Sequence, residues 1–417
     1  MKYGLIGEKL SYSFSAEIHE RFFGTRYELC ELAPAELKSF VALRGFAGIN
    51  VTAPYKRAVV PLLDRLSGEA RASGAVNVII NENGVLCGYN TDIYGMRAAF
   101  ARSGCAFSGK KALVLGSGGT SGTALAALKE DFRPACALRV SRTGKDGCLT
   151  YLQALKEHSD AEIIINTTPC GTSPEIAGEA IDPARFPNLA FVFDAVYNPL
   201  NTRLCVKSRE SGAQAEGGLY MLVAQAVKSE SLFTGAQYGE DVTESIYKTL
   251  RSEKLNVVLT GMPGAGKSTV GELTARILSR PFYDTDSLIT EKTGMTPGEI
   301  IKGQGEALFR KIESEVIAAL ADIQGAVIAT GGGAVLDAGN VRALKANGRV
   351  YFIDRPPGDL SVSEERPLTP DRTALARVYA ERRDVYLKNC DRHIKGGEDA
   401  SETALMIAEE YRIGDFL

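Results

Sequence analysis

The feature that most constrains the fold is Gly261-x4-Gly266-Lys267-Ser268, set directly behind the apolar run 255–260 and ahead of a helix-like stretch. A strand that breaks into a glycine-rich turn and then a helix opens a βαβ unit, which commits the surrounding chain to a parallel α/β sheet. The spacing also carries chemistry. Backbone N–H groups from Gly264, Ala265, Gly266, Lys267, Ser268 and Thr269 can turn inward around phosphates at a helix N-terminus. The Lys267 ammonium then reaches the β- and γ-phosphates and the Ser268 hydroxyl sits on Mg²⁺. This pattern predicts nucleotide binding and leaves the phosphoryl acceptor open.

A second glycine turn, Gly116-Ser117-Gly118-Gly119-Thr120-Ser121-Gly122, follows the strand-like run 110–115. Its chemistry differs from the first, so the chain is not an internal repeat. Upstream, strand-like runs 26–32, 47–51 and 76–80 alternate with helix-like runs 35–43 and 91–103, which predicts a further α/β region. The polar stretch 235–253 carries Val242, Ile246 and Leu250 at helical spacing and reads as a closing helix and linker. The expected division is therefore a first domain over 1–252 and a second over 253–417. A length of 417 residues accommodates two to four domains of roughly 100–200 residues.

Hydrophobic residues at 45%, charged residues at 24% and a net charge of −3 give no general reason to expect nucleic acid or membrane as a partner. No apolar run approaches the ~18 residues of a membrane helix, and the run 1–7 is too short for a signal peptide. The expected location is the cytoplasm. Eight cysteines without a CxxC pair predict free thiols in a reducing compartment. With only three histidines a zinc site is not expected, and acid–base chemistry falls to Lys, Asp or Glu.

Behind the phosphate loop, Asp284 and Asp286 stand two apart after a short strand. On an extended segment both would face one side, one for the metal's water shell and one for a substrate hydroxyl proton. A solvated turn is the alternative. Arg310 and Glu313 share a helix face at i, i+3, a pairing that by itself could be a surface ion pair. Gly331-Gly332-Gly333 after the apolar run 327–330 suggests backbone close to a ligand, or a loose loop. Arg366-Pro367-Leu368 and Arg382-x3-Tyr386 complete the set.

In order and spacing these residues resemble the shikimate kinase family over nearly all of 255–417. The resemblance implies a P-loop fold like that of nucleoside monophosphate kinases, using ATP and Mg²⁺. Lys267 and Asp286 would be its catalytic residues and Ser268 and Asp284 its metal residues. Asp286 would bind the shikimate hydroxyls and orient or deprotonate the attacking one. Arg310 and Arg382 would grip the substrate carboxylate, where the guanidinium fork matches two oxygens. Gly332 would meet the substrate through its backbone, and Arg366, in the lid, would reach the phosphates. The chain departs from the family in three places. The lid stretch 354–366 is shorter than usual, an arginine often set before the lid against adenine is not evident, and Pro-Leu-Thr stands for Pro-Leu-Leu at 367–369.

In the first half, Ser121 occupies the third glycine position of a strict GxGxxG, so that turn alone is a weak dinucleotide signal. The next strand-like run, 137–140, ends in Ser141-Arg142-Thr143. An acidic residue there would suit a ribose 2′-hydroxyl, whereas arginine and two hydroxyls suit a 2′-phosphate and favour NADP(H). A plain surface arginine is the alternative. Singly, Ser13 and Ser15 could be helix caps, Asn77 a turn residue, Asp92 an N-cap and Lys56 a surface charge. Their joint presence ahead of a dinucleotide turn asks for a site.

With Ile165-Asn166-Thr167-Thr168-Pro169, Gly171, Asp194-Ala195-Val196-Tyr197-Asn198-Pro199 and the run 218–225, this half resembles shikimate dehydrogenase over about residues 1–250. The resemblance implies a substrate subdomain of about 1–100 and 218–252 around a Rossmann NADP subdomain of about 101–217. It implies that Ser13, Ser15, Thr52, Asn77, Asp92, Tyr197 and Gln225 bind substrate, with Lys56 and Asp92 as the acid–base pair. Gly116, Ser117, Gly118, Gly119, Thr120, Ser141, Arg142, Thr143, Ala195 and Gly218 would contact NADP(H).

Together the resemblances imply reduction of 3-dehydroshikimate to shikimate with NADPH, then phosphorylation with ATP-Mg²⁺ to shikimate 3-phosphate. The expected partners are the small-molecule substrates 3-dehydroshikimate and shikimate, with no nucleic acid and no membrane. Two rivals remain: a quinate-accepting dehydrogenase fused to another P-loop kinase, and a metabolite-sensing regulator without catalysis. A regulator would be expected to lack Lys56, Asp92, Lys267 or Asp284, and all four are present.

Overall fold

The computed structural model describes residues 1–10, 13–362, 367–397 and 399–413, so Arg366 lies outside the described residues. The chain divides into two compact units, Met1–Thr249 and Leu250–Leu417.

The first unit holds two sheets. One comprises β1 (Tyr3–Gly7), β2 (Tyr27–Glu31), β3 (Gly48–Val51), β4 (Arg65–Leu66), β5 (Val78–Glu82) and β6 (Val85–Tyr89) in the order β2-β1-β3-β5-β6-β4. β1 pairs in parallel with β2 and β3, while β5 runs antiparallel to both β3 and β6. The other sheet comprises β7 (Lys111–Leu115), β8 (Cys136–Ser141), β9 (Leu149–Thr150), β10 (Ile163–Asn166), β11 (Phe191–Asp194) and β12 (Gln214–Glu216). Its strands are all parallel in the order β12-β11-β10-β7-β8-β9, the doubly wound arrangement whose crevice opens between β7 and β10. Helices cover both faces of such a sheet, which is why β10 reads Ile-Ile-Ile rather than alternating. Each of those isoleucines is fully buried, worth about 1.5–3 kcal/mol apiece.

The helix Leu219–Thr234 returns from the second sheet to the first. It is tied there by Glu230, which pairs with His19 Nδ1 at 2.7 Å, both side chains being buried. His19 lies on the helix Ser15–Phe23 and stacks on Tyr27 at 4.3 Å. The helix Gly119–Ala127 closely approaches the layer of the first sheet: a Cβ on Gly122 would stand 2.5 Å from the Ser73 carbonyl oxygen. Gly122, one place beyond the strict motif, therefore supplies the close packing, while Ser121 is buried with its hydroxyl donating to the Gly118 oxygen at 2.8 Å.

The second unit is built on β13 (Asn256–Thr260), β14 (Phe282–Asp284), β15 (Val327–Ala329), β16 (Gly348–Asp354) and β17 (Arg392–Lys395), all parallel in the order β14-β15-β13-β16-β17. Central β13 is buried throughout, and the glycine loop leaves its carboxyl end. Gly266 takes φ +81° at the head of the helix Lys267–Leu278, a left-handed conformation that other residues rarely adopt.

One expectation needs correction, and one alternative is set aside. Asp284 and Asp286 do not share an extended segment: Asp284 ends β14 and caps the helix Thr285–Thr293, and Asp286 lies in that helix's first turn. The carboxylate of Asp284 accepts from the Asp286 and Ser287 amides at 2.9 and 3.1 Å, and that cap is what breaks the strand. Nor is Arg310–Glu313 a surface pair, because Glu313 is completely buried.

Candidate active sites

In the first unit a cavity of about 280 Å³ opens where both sheets end. Ser13, Ser15, Thr52, Lys56, Asn77, Asp92, Tyr197 and Gln225 all line it, together with Thr120, Ala195 and Gly218 from the expected cofactor set. In its wall Lys56 Nζ meets Asp92 Oδ2 at 2.7 Å. The other Asp92 oxygen accepts from Asn77 Nδ2 at 3.0 Å, and Asn77 Nδ2 also meets Gln225 Oε1 at 3.3 Å. Asn90, and not Asp92, caps the helix Thr91–Arg102, which leaves the Asp92 carboxylate available to the lysine. Ser13 Oγ accepts from the Ser15 amide at 3.2 Å, and the Tyr197 ring packs 5.2 Å from that of Phe14.

The glycine turn 116–119 abuts this cavity, since a Cβ on Gly119 would stand 3.2 Å from Lys56 Cβ. Ser141, Arg142 and Thr143 lie beyond the cavity's lining, at the end of the neighbouring strand β8. Arg142 and Thr143 are less buried there than Ser141, whose hydroxyl accepts from the Gly144 amide at 3.1 Å. A cation and hydroxyls at that strand end, with no carboxylate among them, fit a ribose 2′-phosphate.

Sequence reasoning quoted Asp194 without giving it work. It is fully buried and accepts from Asn166 Nδ2 at 2.9 Å, the Val196 amide at 3.0 Å and Thr202 Oγ1 at 2.7 Å. Burial pushes its carboxyl up to about 7, against the pull of those three donors. It thereby fixes the turn that presents Ala195 and Tyr197 to the cavity. An aspartate closing the apolar strand run 191–194 was the available signal.

In the second unit three glycines gather the expected substrate residues. Thr285 Oγ1 accepts from the Gly331 amide at 2.9 Å, and a Cβ on Gly331 would lie 2.7 Å from Glu313 Oε1 and 2.9 Å from Asp286 Oδ1. The Arg310 guanidinium fills the space beside Gly333. The Gly332 oxygen accepts from Arg382 Nη1 at 3.3 Å and from the Tyr386 hydroxyl. Neighbouring Arg383 turns away, to Asp354. This cluster touches the phosphate loop, because a Cβ on Gly332 would stand 2.6 Å from Pro263 Cδ.

Arg310 Nη1 donates to Glu313 Oε2 at 2.8 Å, and its Nη2 donates to Glu306 at 2.9 Å. Burial pushes the Glu313 carboxyl up, Arg310 draws it down and Asp286 raises it again. Among the described residues its buried Oε1 has no hydrogen-bond partner, and it lies beside Gly331. In the loop, Lys267 donates to the Gly261 and Met262 oxygens, each at 3.0 Å. Ser268 Oγ donates to Asp284 Oδ2 at 2.6 Å. A hydroxyl and a carboxylate oxygen side by side at the loop's mouth are hard donors of the kind Mg²⁺ takes while keeping several waters. Among the described residues no group of three or more His, Cys, Asp or Glu forms a denser metal site.

Comparison with known proteins adds a separate line of information. The shikimate kinase family profile matches residues 263–412, and that of the shikimate dehydrogenase substrate-binding domain matches 5–79. The NADP(+) shikimate dehydrogenase of Clostridium perfringens is 36% identical over 266 residues, spanning 60% of this chain and 98% of that protein. The crystal structure of shikimate dehydrogenase 1 from Peptoclostridium difficile superposes with a TM-score of 0.56 at 32% identity, over 60% of this chain and 98% of its own. That of shikimate 5-dehydrogenase from Thermus thermophilus, in complex with NADP(H) and shikimate, gives 0.53 at 27% identity, over 60% and 99%.

Proposed function

We propose residue roles for a bifunctional enzyme: the chain belongs to the shikimate dehydrogenase family through its first unit and carries a shikimate kinase domain in its second. It reduces 3-dehydroshikimate to shikimate with NADPH and phosphorylates shikimate with ATP-Mg²⁺ to shikimate 3-phosphate. The observation that carries the role assignment is the Lys56–Asp92 pair at 2.7 Å, in the wall of the cavity that abuts the glycine turn.

NADPH supplies the hydride, ATP the phosphoryl group, and Mg²⁺ the counter-charge for the phosphates. Reduction of a ketone leaves an alkoxide, so a proton must arrive at that oxygen. The Lys56 ammonium donates it, and Asp92 holds Lys56 in place while Asn77 holds Asp92. Ser13, Ser15, Thr52, Tyr197 and Gln225 bind the polyhydroxy acid through hydroxyl and amide groups. Gly116 to Thr120 receive the dinucleotide's pyrophosphate, Ala195 and Gly218 line its path, and Ser141 to Thr143 take the 2′-phosphate.

In the second unit Gly264 to Thr269 cradle the ATP phosphates, with Lys267 leaving its loop carbonyls for them. Ser268 and Asp284 hold the metal. Asp286 orients the attacking hydroxyl and accepts its proton, while Arg310 and Arg382 grip the carboxylate beside Gly332. Arg366 is proposed as a phosphate contact from sequence alone. Domain limits of 1–252 and 253–417 are supported by the two compact units, and a substrate subdomain completed by 218–252 is supported by the His19–Glu230 tie. A cytoplasmic location is supported by eight free cysteines. No described helix is long and apolar enough to cross a membrane.

The test is a pair of assays on the full chain: shikimate with NADP⁺, following NADPH, and shikimate with ATP-Mg²⁺, following ADP. Both activities are expected. Kinase activity alone would turn the first unit towards quinate and NAD⁺, and binding without turnover in either assay would favour the regulator.

A further inference from the structure

Arg355 follows β16 directly, at the carboxyl end of the sheet where adjacent β13 gives rise to the phosphate loop. Among the described residues it has no hydrogen-bond or ion-pair partner, and its Nε is buried and unsatisfied. The nearest carboxylate in sequence, Asp354, is already occupied: Arg383 Nη2 lies at 3.1 Å, the Tyr379 hydroxyl at 2.9 Å and His393 Nε2 at 2.9 Å. A buried guanidinium N–H left unpaired is costly, so the Nε of Arg355 favours an anion as partner.

The position of Arg355 is set from two sides. Its stem lies over Gly396, where a Cβ would come within 2.7 Å of Cγ and 3.2 Å of Cδ, and the Gly396 amide is anchored to the Asp354 oxygen at 3.0 Å. Its Nη1 ends 4.0 Å from where a Cβ on Gly266 would stand. Gly266 heads the helix Lys267–Leu278, so the guanidinium shares the positive end of a helix dipole with the Lys267 ammonium. The acidic neighbour at that mouth, Asp284, is taken up by Ser268 and by its own helix cap. Among the described residues, two cations and a dipole of the same sign meet here without a carboxylate assigned to Arg355, an arrangement that favours the arrival of a polyanion.

We propose that Arg355 is a nucleotide-binding residue of the kinase site, pairing its guanidinium with the phosphate chain of the bound nucleoside triphosphate. This rests on reading the loop 261–269 as the nucleotide cradle. It also bears on the shortened stretch 354–366: a cation fixed at the strand end meets the phosphates without waiting for a lid.

The experiment is titration of the full chain with ADP-Mg²⁺ and, separately, with inorganic tripolyphosphate. Wild type, Arg355→Gln, Arg355→Lys and Lys267→Met are compared at two salt concentrations. Arg355→Gln is expected to weaken both ligands about tenfold and to flatten the salt dependence, as loss of one charge-assisted contact would. Arg355→Lys, which keeps the charge, should recover most of the affinity. Reductase activity in the same preparation should stay at the wild-type level. Unchanged affinity in Arg355→Gln, with binding lost in Lys267→Met, would overturn the proposal and leave the cradle intact. Weakened ADP with unchanged tripolyphosphate would place the contact on the base and overturn it as stated. A wild-type chain that bound neither ligand would remove the cradle reading, and this inference with it.

Discussion

Replacing Lys56 by methionine keeps an unbranched stem and removes the ammonium in the wall of the first cavity. Nζ sits 2.7 Å from Asp92, with the two side chains 17% and 6% exposed, so little solvent can substitute for the lost proton. A positioned general acid is worth about 10²–10⁴ in rate, or ~3–5 kcal/mol of barrier. Because Lys56 is assigned to the developing alkoxide, the loss should fall on kcat more than on KM. The same change leaves the Asp92 carboxylate without its counter-charge, although the Asn77 bond at 3.0 Å remains. That desolvated acceptor costs about 1–3 kcal/mol. At about 2–4 °C per kcal/mol for a unit of this size, the first unit's melting temperature should fall by roughly 2–12 °C. The measurements are NADPH formation from shikimate at saturating substrate, scanning calorimetry, and kinase turnover in the same sample as an internal control. Reduction within tenfold of wild type, with the kinase intact, would refute Lys56 as the donor. A parallel fall of both activities would mean that the variant had misfolded and that the rate loss says nothing about proton transfer.

Asp194→Asn tests the buried acid behind the cavity. A folded carboxyl raised to about 7 from an ordinary 3.8 favours folding at acid pH and loses that contribution as pH climbs through the interval. Wild type should therefore lose on the order of 4 kcal/mol relative to Asp194→Asn between pH 4 and 7, about three pH units at ~1.4 kcal/mol each, read from denaturant midpoints. Equal pH slopes in the two proteins would contradict the assignment. Glu313→Gln should raise the kinase KM for shikimate about 3–10-fold while leaving reduction untouched, because Arg310 loses the buried carboxylate that aims it. Arg142→Ala should raise KM for NADP⁺ about tenfold and leave that for NAD⁺ nearly unchanged, in steady-state comparison of the two cofactors. Thr369→Val should stabilise the second unit by about 1 kcal/mol in chemical denaturation, since among the described residues the buried Thr369 hydroxyl has no partner to lose.

The parts of the fold that were legible are those whose signal is local. Both strand–turn–helix openings announce themselves in a few consecutive residues, and Ser141-Arg142-Thr143 sits where a strand-then-turn reading places it. Partnerships across distance were legible only through resemblance. Lys56 and Asp92 are 36 residues apart, and Asn77 and Gln225 are 148 apart, so no periodicity joins them. His19 and Glu230, 211 apart, gave no hint of each other. Two readings had to give way for a common reason: a polar side chain was read by its neighbours in sequence. Asp284 looked like one of a pair on an extended segment because capping is decided by where the strand stops. Glu313 looked like a surface partner of Arg310 because i, i+3 spacing is silent about which helix face is covered. Arg355 carried no motif at all, and only its isolation in three dimensions singles it out.

The Lys267 ammonium rests on two carbonyl oxygens of its own loop, so nucleotide does not simply fill an open seat. On the role proposed for Lys267, nucleotide arrival would be an exchange, in which bonds to neutral loop oxygens are surrendered as bonds to charged phosphate oxygens form. In this state the lysine is an internal brace of the loop, bonded to the Gly261 and Met262 oxygens. Product release would run the same exchange backwards, and a brace re-forming behind departing ADP would oppose its rebinding. A residue usually counted only for holding phosphate would then also set how promptly the kinase lets go.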